Sequence, residues 1–544
     1  MSTEKMRKNS SGSADSGRGA DSGGVPVSGR RHFIYTALAT AGAAAATTLL
    51  PATRLWADTA STSTGTGAGA IPSQLAAVSL AGQPISLSAA EVKELRASLR
   101  GRLLLAGDEG YDQARRLWNG AFDRHPALIA RCAGAADVVQ AVNFARSHEI
   151  LTAVHGGGHS LSGQSSCDGG LMIDLSPMKG IRIDPARQSA SAQAGVLLGE
   201  LDRESQAFGL ATTLGTASDT GIAGLTLGGG QGRLARKFGL SCDNLLSVDI
   251  VTADGRLLHA SDQENSDLFW GIRGGGGNFG VVTTFEYRLH PLGPKVLAGN
   301  RVYPMSQASS ILKALREYCE GAPDEMTLSA SLTGSAPGVP KGKYVAIEVV
   351  YCGALAEGER LLTPLQKLGK PLYDDVVAKT YIAAQMGLTG ASPAPLPPGL
   401  NVYVKSGFLR TFSDELIETS IQHFNAAPAW LDELGFGQLG GAMARVKPEA
   451  TAYWNRLAKY DLMIDGAWGD RSQDKQNLEA GRALWAVLEP FTQGYYVNTE
   501  PSADEKRLRL TYGDNYPRLV QLKNKYDPKN LFRLNANIKP TVSS

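Results

Sequence analysis

The chain has 544 residues, enough for two or more domains with sizeable cores. Its 54 basic and 52 acidic side chains leave a net charge of +2, so it carries no field that would favour nucleic acid or an anionic membrane surface. Five cysteines (Cys132, Cys167, Cys242, Cys319 and Cys352) stand without C-x-x-C spacing, which indicates neither a zinc site nor a disulfide framework.

Residues 1–29 are rich in Ser, Gly and charge, a composition that does not bury a core. Arg30-Arg31 then precedes an uncharged Ala/Thr-rich run to Leu50 and a small residue at Ala57. This reads as a twin-arginine export signal over residues 1–57, cut after Ala57, and implies the export machinery as a partner and a periplasmic or extracellular destination. The run from Phe33 is long enough to cross a bilayer, but its Ala, Thr and Gly content makes it a poor anchor. A linker spans 58–85, with its Ser/Thr/Gly-rich part at 58–72.

Ser88-Ala-Ala-Glu91 is a capping box that opens a helix to about Leu99. A strand at 127–132, a helix at 137–147 and a strand at 149–155 form a β-α-β unit. Its exit is His155-Gly-Gly-Gly-His159-Ser160, continuing to Gly163. Gly156, Gly157 and Gly158 lack Cβ atoms, so this backbone can approach a bulky ligand and turn N–H groups toward an anion. His155 and His159 could pair on a metal, but no ligand cluster lies nearby and a helix cannot run through three glycines, so no metal is expected. H-G-G-G also suits an esterase oxyanion loop, yet the chain holds no G-x-S-x-G nucleophile elbow.

Short strands at 171–175 and 181–183 lead to a second glycine loop, 215–232, containing Thr220, Gly221, Gly224, Gly228, Gly229 and Gly230. A hairpin follows, 248–252 and 257–259 around Asp254-Gly255. The third loop, 273–280, holds Asn278 and Gly280 and satisfies G-x-G-x-x-G. Val281-Val282-Thr-Thr-Phe-Glu-Tyr after it reads as a strand, whereas a dinucleotide fold of the Rossmann kind needs a helix there. Three such loops suggest one extended cofactor gripped from several sides.

These blocks, H-G-G-G-H-S-x-x-G, D-G-G-L-M-I-D-L-S, G-L-T-L-G-G-G-Q-G and D-L-F-W-G-I-R-G-G-G-G-N-F-G, resemble the berberine bridge enzyme-like FAD-linked oxidoreductases, of the p-cresol methylhydroxylase/vanillyl-alcohol oxidase fold. The closing N-Y-P-R-L-V…K-Y-D-P-K-N-L-F…N-I, with Asn535 and Asn537, is similar to that family's C-terminal segment. The resemblance covers roughly residues 111–540. It implies an α+β fold: a two-part FAD-binding domain (86–292, with 501–544 returning to it) and a substrate domain (293–500) of antiparallel sheet backed by helices. It further implies FAD joined covalently through His159. Many relatives add a cysteinyl link in the second loop; the matching residue here is Ala217, so a single bond is expected. The glycines named in the three loops, with Ser160, Thr220, Asn278, Val282, Asn535 and Asn537, are the implied cofactor contacts. Thr220 stands where some relatives carry a small apolar residue that admits oxygen, which leaves oxidase and dehydrogenase both open.

The substrate region reads as strands at 344–351, 402–408 and 461–464 with helices at 307–319, 415–424 and 478–488. In the family a Tyr often follows Y-x-N as the active-site base; here Tyr496-Val-Asn498 is followed by Thr499, whose hydroxyl is far weaker. Tyr496 and Asn498 are therefore candidates for substrate or flavin contacts, and ordinary packing is the alternative. The expected activity is hydride transfer from an alcohol- or amine-bearing carbon of a small molecule to flavin, then to oxygen or another acceptor. A low-turnover flavin-binding carrier module is the alternative that Thr499 favours.

Overall fold

The computed structural model describes residues 71–336, 338–389, 400–499 and 504–541. The twin-arginine stretch, the run after it and the cut at Ala57 lie outside them.

The linker ends earlier than expected. Gln74–Val78 and Pro84–Ser88 pair as an antiparallel hairpin. Leu75, Ala77, Ile85 and Leu87 sit opposite one another on one face and pack into the first core, an alternation that outweighs the polar flanks. Ser88 then caps the helix Ala89–Ser98: its hydroxyl accepts from Glu91 N at 3.3 Å, and the Glu91 carboxylate accepts from Ser88 N at 2.7 Å. Ser88 N and the Ser88 hydroxyl both donate to the Glu91 carboxylate and hold it below its ordinary range. Ser88→Ala is expected to cost about 1 kcal/mol in urea unfolding.

Leu128–Arg131, the helix Ala135–Ser147 and Thr152–His155 form the β-α-β unit. The second strand starts later than the apolar run suggests, because Glu149 takes a left-handed φ of 47° and turns the chain. Leu171–Asp174 inserts between the two strands, parallel to both. All four of its residues are buried, as a parallel strand covered on both faces requires. Val138, Ala141, Val142 and Ala145 supply the helix's share of that cover. A second, antiparallel sheet runs in the order Leu257–Ser261, Leu245–Thr252, Gly280–Arg288, Ser189–Gln193, Ile181–Asp184. The third glycine loop thus feeds a strand, and the dinucleotide reading fails on topology. Within the second loop, residues 222–227 are helical rather than loop (Ile222–Leu227). Ile222, Ala223, Thr226 and Leu227 form a buried stripe at helical spacing, which overrides the local glycine content.

The second half is a large antiparallel sheet in the order Tyr373–Asp374, Lys295–Pro304, Tyr344–Tyr351, Met326–Thr333, Leu431–Gln438, Tyr460–Trp468, Asn401–Leu409. Helices Ala308–Glu320, Asp414–Ala426 and Asp474–Leu488 cover one face, where Leu312, Leu416 and Leu484 meet Leu328, Leu434 and Leu462. The chain then returns: Leu508, Tyr512, Leu519 and Leu522 of helices Glu505–Tyr512 and Tyr516–Tyr526 belong to the first core. Lys523 anchors this return. Its fully buried ammonium donates to Asp527 at 2.7 Å, to Phe532 O and to Asn278 O in the third glycine loop. Burial pulls the Lys523 amine down and the Asp527 carboxylate opposes it. The five cysteines are all buried and unpaired. Among the described residues, no helix is long and apolar enough to cross a membrane.

Candidate functional site

A cleft opens where the three backbone segments converge, with about 1340 Å³ of space including its mouth. Gly156, Gly157, Gly158, His159 and Ser160 line it from the first loop, and Thr220, Gly221 and Gly224 from the second segment. Asn278, Gly280 and Val282 come from the third, and Asn535 from the C-terminal return. The segments approach as closely as backbones can. A Cβ on Gly157 would lie 2.4 Å from Gly221 N, and one on Gly221 would lie 2.5 Å from Gly157 N. By contrast, a Cβ on Gly224 or Gly277, both in the lining, would meet no protein atom within 4 Å. These two positions leave space that side chains elsewhere would fill.

The remaining predicted cofactor contacts lie outside the lining. Gly163 is packed on Phe122, Gly228 on the Asn498 amide, Gly229 on the Tyr453 ring and Gly230 on Ser241, each leaving under 3 Å for a Cβ. Protein neighbours by themselves account for glycine at these four positions. Asn537 is buried next to the lining residue Ala536 without itself lining the cleft. Asn278 lines the cleft, but its amide is spent within the protein: Nδ2 donates to Gly275 O and Ala536 O, and Oδ1 accepts from Ile538 N. It fixes the third loop to the C-terminal return.

His159 stands at the edge of the cleft, stacked on Trp118 with centroids 5.1 Å apart. Its two ring nitrogens see different partners. Nδ1 lies 3.3 Å from the Thr220 hydroxyl, and Nε2 lies 3.6 Å from the Asp219 carboxylate. A carboxylate there favours the proton on Nε2 and leaves the Nδ1 lone pair available, the form a nucleophilic imidazole needs. Asp219 and Trp118 escaped sequence reading: Trp118 belongs to no glycine motif, and Asp219, although inside the second glycine loop, meets His159 only through the approach of two loops. His155 is absent from the cleft lining and lines an adjoining cavity with His159 and Asp219: burial pushes its imidazole below the ordinary value, and its Nδ1 has no hydrogen-bond partner. Among the described residues no group of three or more His, Cys, Asp or Glu could hold a metal.

Of the two residues predicted to contact substrate or flavin, only Asn498 lines the cleft; its Nδ2 donates to Leu225 O and to the Tyr496 hydroxyl. Tyr496 is corrected to a supporting role. Its phenol oxygen accepts from Gly230 N at 3.1 Å and Gln231 N at 3.3 Å, and burial pushes it up to about 12, so it is neither free nor ionisable near neutrality. Thr499 is likewise engaged, with the Ser406 hydroxyl and Tyr496 O.

Ser406 belongs to the sheet face opposite the helices. Cross-strand partners share a face, so the register puts Phe408, Asp461, Gly437 and Ser329 in one row, and Ser406, Met463, Gly435 and Ser331 in the next. Asp461 therefore looks toward the aromatic cluster of Phe408, Tyr453 and Tyr496. Tyr453 in turn accepts from Gln231 Nε2 at 3.1 Å. The Asp461 side chain keeps some accessible surface while its Oδ1 is sealed without a partner. Burial alone raises its carboxyl to about 7. Between the unfolded value near 4 and this one, the native state holds a proton that the unfolded chain has lost, so stability falls as pH rises through that window. Asp461→Asn should therefore melt higher than wild type at pH 8 and together with it near pH 3.5, as followed by circular dichroism.

The cleft suits a long, partly anionic cofactor: glycine backbone on three sides, open Cβ positions, a sealed and unpartnered Oδ1 on Asn535 and, among the described residues, no Asp or Glu in its lining. Comparison with known proteins agrees. Residues 126–261 match the family model described as an FAD binding domain, and residues 495–539 match the model described as berberine and berberine like. An FAD-linked oxidoreductase of Dictyostelium discoideum is 32% identical over 455 residues, covering 82% of this chain and 97% of the relative. A chitooligosaccharide oxidase of Gibberella zeae is 30% identical, covering 80% and 91%. The crystal structure of 6-hydroxy-D-nicotine oxidase from Arthrobacter nicotinovorans matches with a TM-score of 0.73 at 29% identity, covering 81% of this chain and 98% of that one.

Proposed function

The chain belongs to the berberine bridge enzyme-like FAD-linked oxidoreductases, a family acting on alcohols, amines or sugars, and from that premise we propose that it oxidises a carbon bearing a hydroxyl or amine on a small organic substrate, using FAD held by one covalent bond to His159. When bound, FAD supplies a two-electron acceptor for hydride and passes the electrons on to oxygen or another acceptor. The observation that carries this reading is His159 itself, poised between the Thr220 hydroxyl and the Asp219 carboxylate at the edge of a glycine-lined cleft. Ala217, where relatives place a second attachment, offers no thiol.

In this reading residues 86–292 and 501–544 hold the cofactor, and 293–500 roof it and select the substrate. The glycine backbone of residues 156–158 and Ser160 receive the cofactor's anionic part. Export by the twin-arginine route, with the leader removed after Ala57, suits a protein that must load its cofactor before crossing the membrane. A covalent bond would keep the flavin in place afterwards.

The test has two parts. After acid denaturation and filtration, yellow colour should stay with the protein, and a peptide containing His159 should carry the mass of FAD. Anaerobic addition of amines, sugars and alcohols should bleach the flavin with at least one class. Colour without bleaching by any class would favour the carrier module instead, and absence of colour would defeat both.

A further inference from the structure

We infer that Gln385, on the helix Tyr381–Thr389 of the second half, is a positioning residue for flavin attachment. It fixes the segment 215–220 and so sets where the Asp219 carboxylate stands against Nε2 of His159. The inference rests on the proposed bond between His159 and FAD, and adds the residue that readies His159 to form it.

In that step His159 Nδ1 forms a bond to the 8α carbon of FAD. One C–H bond of that carbon breaks, and so does the imidazole N–H bond at Nε2, whose proton leaves by way of Asp219. The two electrons and two protons released reduce dioxygen to hydrogen peroxide. Asp219 must therefore face Nε2, where it lies at 3.6 Å, and leave Nδ1 to the flavin.

The segment that carries Asp219 is held at both ends. Ser218 O and Thr220 O accept from Gly199 N and Leu198 N, both at 2.9 Å, at the start of the helix Leu198–Gln206. Thr220 N closes a turn on Ala217 O at 3.1 Å. Side chains hold the other end. Gln385 Nε2, 170 residues away in sequence, donates to Gly215 O at 3.2 Å, and Arg233 Nη1 donates to Thr216 O at 2.8 Å.

Gln385 also joins the two donors into one unit. Its Oε1 accepts from Arg233 Nη1 at 2.9 Å, and its Nε2 donates to Asp202 Oδ2 at 3.4 Å as well as to Gly215 O. Turning the amide over would set N–H against N–H at Arg233 and oxygen against oxygen at Gly215 and Asp202, so one orientation satisfies all three. Arg233 Nε pairs with Glu348 Oε1 at 2.9 Å, and both of these side chains are buried. Gln385 and Glu348 come from the second half of the chain, Asp202 and Arg233 from the first. The seating of one half on the other thus reaches the segment beside His159. Asp202 Oδ1 already lacks a partner. Losing the Gln385 donor would leave Gly215 O in this buried cluster without it, and the segment would shift to satisfy that oxygen elsewhere.

The experiment is a double-mutant cycle on the full chain. Apoprotein from riboflavin-starved cells is mixed with FAD in air and quenched in acid at intervals, and protein-bound colour gives the attachment rate. Gln385→Leu should slow attachment at least about 10-fold, and Asp219→Asn should slow it at least as much. In the Asp219→Asn background, Gln385→Leu should change the rate by less than about twofold, because the carboxylate it acts through is already gone. Melting of the apoproteins is followed in parallel, and there the two substitutions should add. A glutamine that only stabilises the fold would slow attachment by the same factor in both backgrounds, and that result overturns the inference. A wild-type rate in Gln385→Leu, or in Asp219→Asn, does so too. If Gln385→Leu does not fold, Gln385→Met takes its place in the cycle, since its unbranched side chain fills similar space without a donor. No attachment in the wild-type protein would refute the underlying reading of His159, whereas normal wild-type attachment with independent effects removes the role of Gln385 alone.

Discussion

Replacing His159 with alanine is expected to free the flavin: after acid denaturation, colour retained on the filter in wild type passes into the filtrate almost entirely. The substitution should leave the fold intact. The His159 ring lies at the edge of the cleft, with Trp118 as its main packing partner and no hydrogen bond to backbone. The cofactor should still load, because the backbone of residues 156–158 and 220–221, not the imidazole, forms the cradle. Asp219→Asn is the informative companion. An amide cannot draw the proton to Nε2 as a carboxylate does, so the Nδ1 lone pair is less available, and covalent attachment should form more slowly without being abolished. Apoprotein reconstituted with FAD and quenched in acid at intervals measures that rate. If the His159→Ala protein keeps its colour on the filter, the bond is made elsewhere.

What could be read in advance divides along a physical line. The glycine motifs were legible because the absence of a Cβ is a local property, and the three loops do meet around one cleft. The hairpin 245–261 and the strand after Gly280 were legible for the same reason: alternation and turn chemistry act over a few residues. Gly228, Gly229 and Gly230 could not be assigned from the motif, because a glycine demanded by Asn498, Tyr453 or Ser241 looks the same as one demanded by a ligand. Tyr496 misled for a related reason. Y-x-N does not say that the phenol will be taken up by backbone amides 266 and 265 residues away. Asp461 was half visible: Tyr-Asp-Leu-Met-Ile-Asp alternates, so Asp461 and Asp465 had to face away from the buried Leu462 and Ile464. Which residues they would then meet depends on pairing with strands near residues 408 and 437, and no periodicity within one strand encodes that. Asp219 beside His159 depends in the same way on two loops 60 residues apart.

The closest backbone approach in the site yields the other large effect. Gly157→Ala is expected to abolish flavin loading and lower the melting temperature, whereas Gly277→Ala should reduce loading alone. At Gly157 a methyl group would sit 2.4 Å from Gly221 N and 2.5 Å from Gly221 Cα, and neither is the end of a flexible side chain that could swing away. The segment at Gly221 is itself held by Leu198 N on Thr220 O and by Ile222 N on Val196 O, both 2.9 Å. Relief therefore requires moving one loop bodily, and overpacking of this kind costs about 1–3 kcal/mol or more. At Gly277 the methyl meets no protein atom within 4 Å, so the empty fold is indifferent to it, while a cofactor lying in the cleft is not. Building both changes into a His159→Ala background, from which flavin can be stripped, separates the two terms. Apoprotein melting should fall for Gly157→Ala and stay at the parent value for Gly277→Ala, while FAD affinity measured by flavin fluorescence should drop in both. Normal loading and melting in Gly157→Ala would mean that the two loops do not hold their contact in solution, and the cradle they build for the flavin would have to be redrawn.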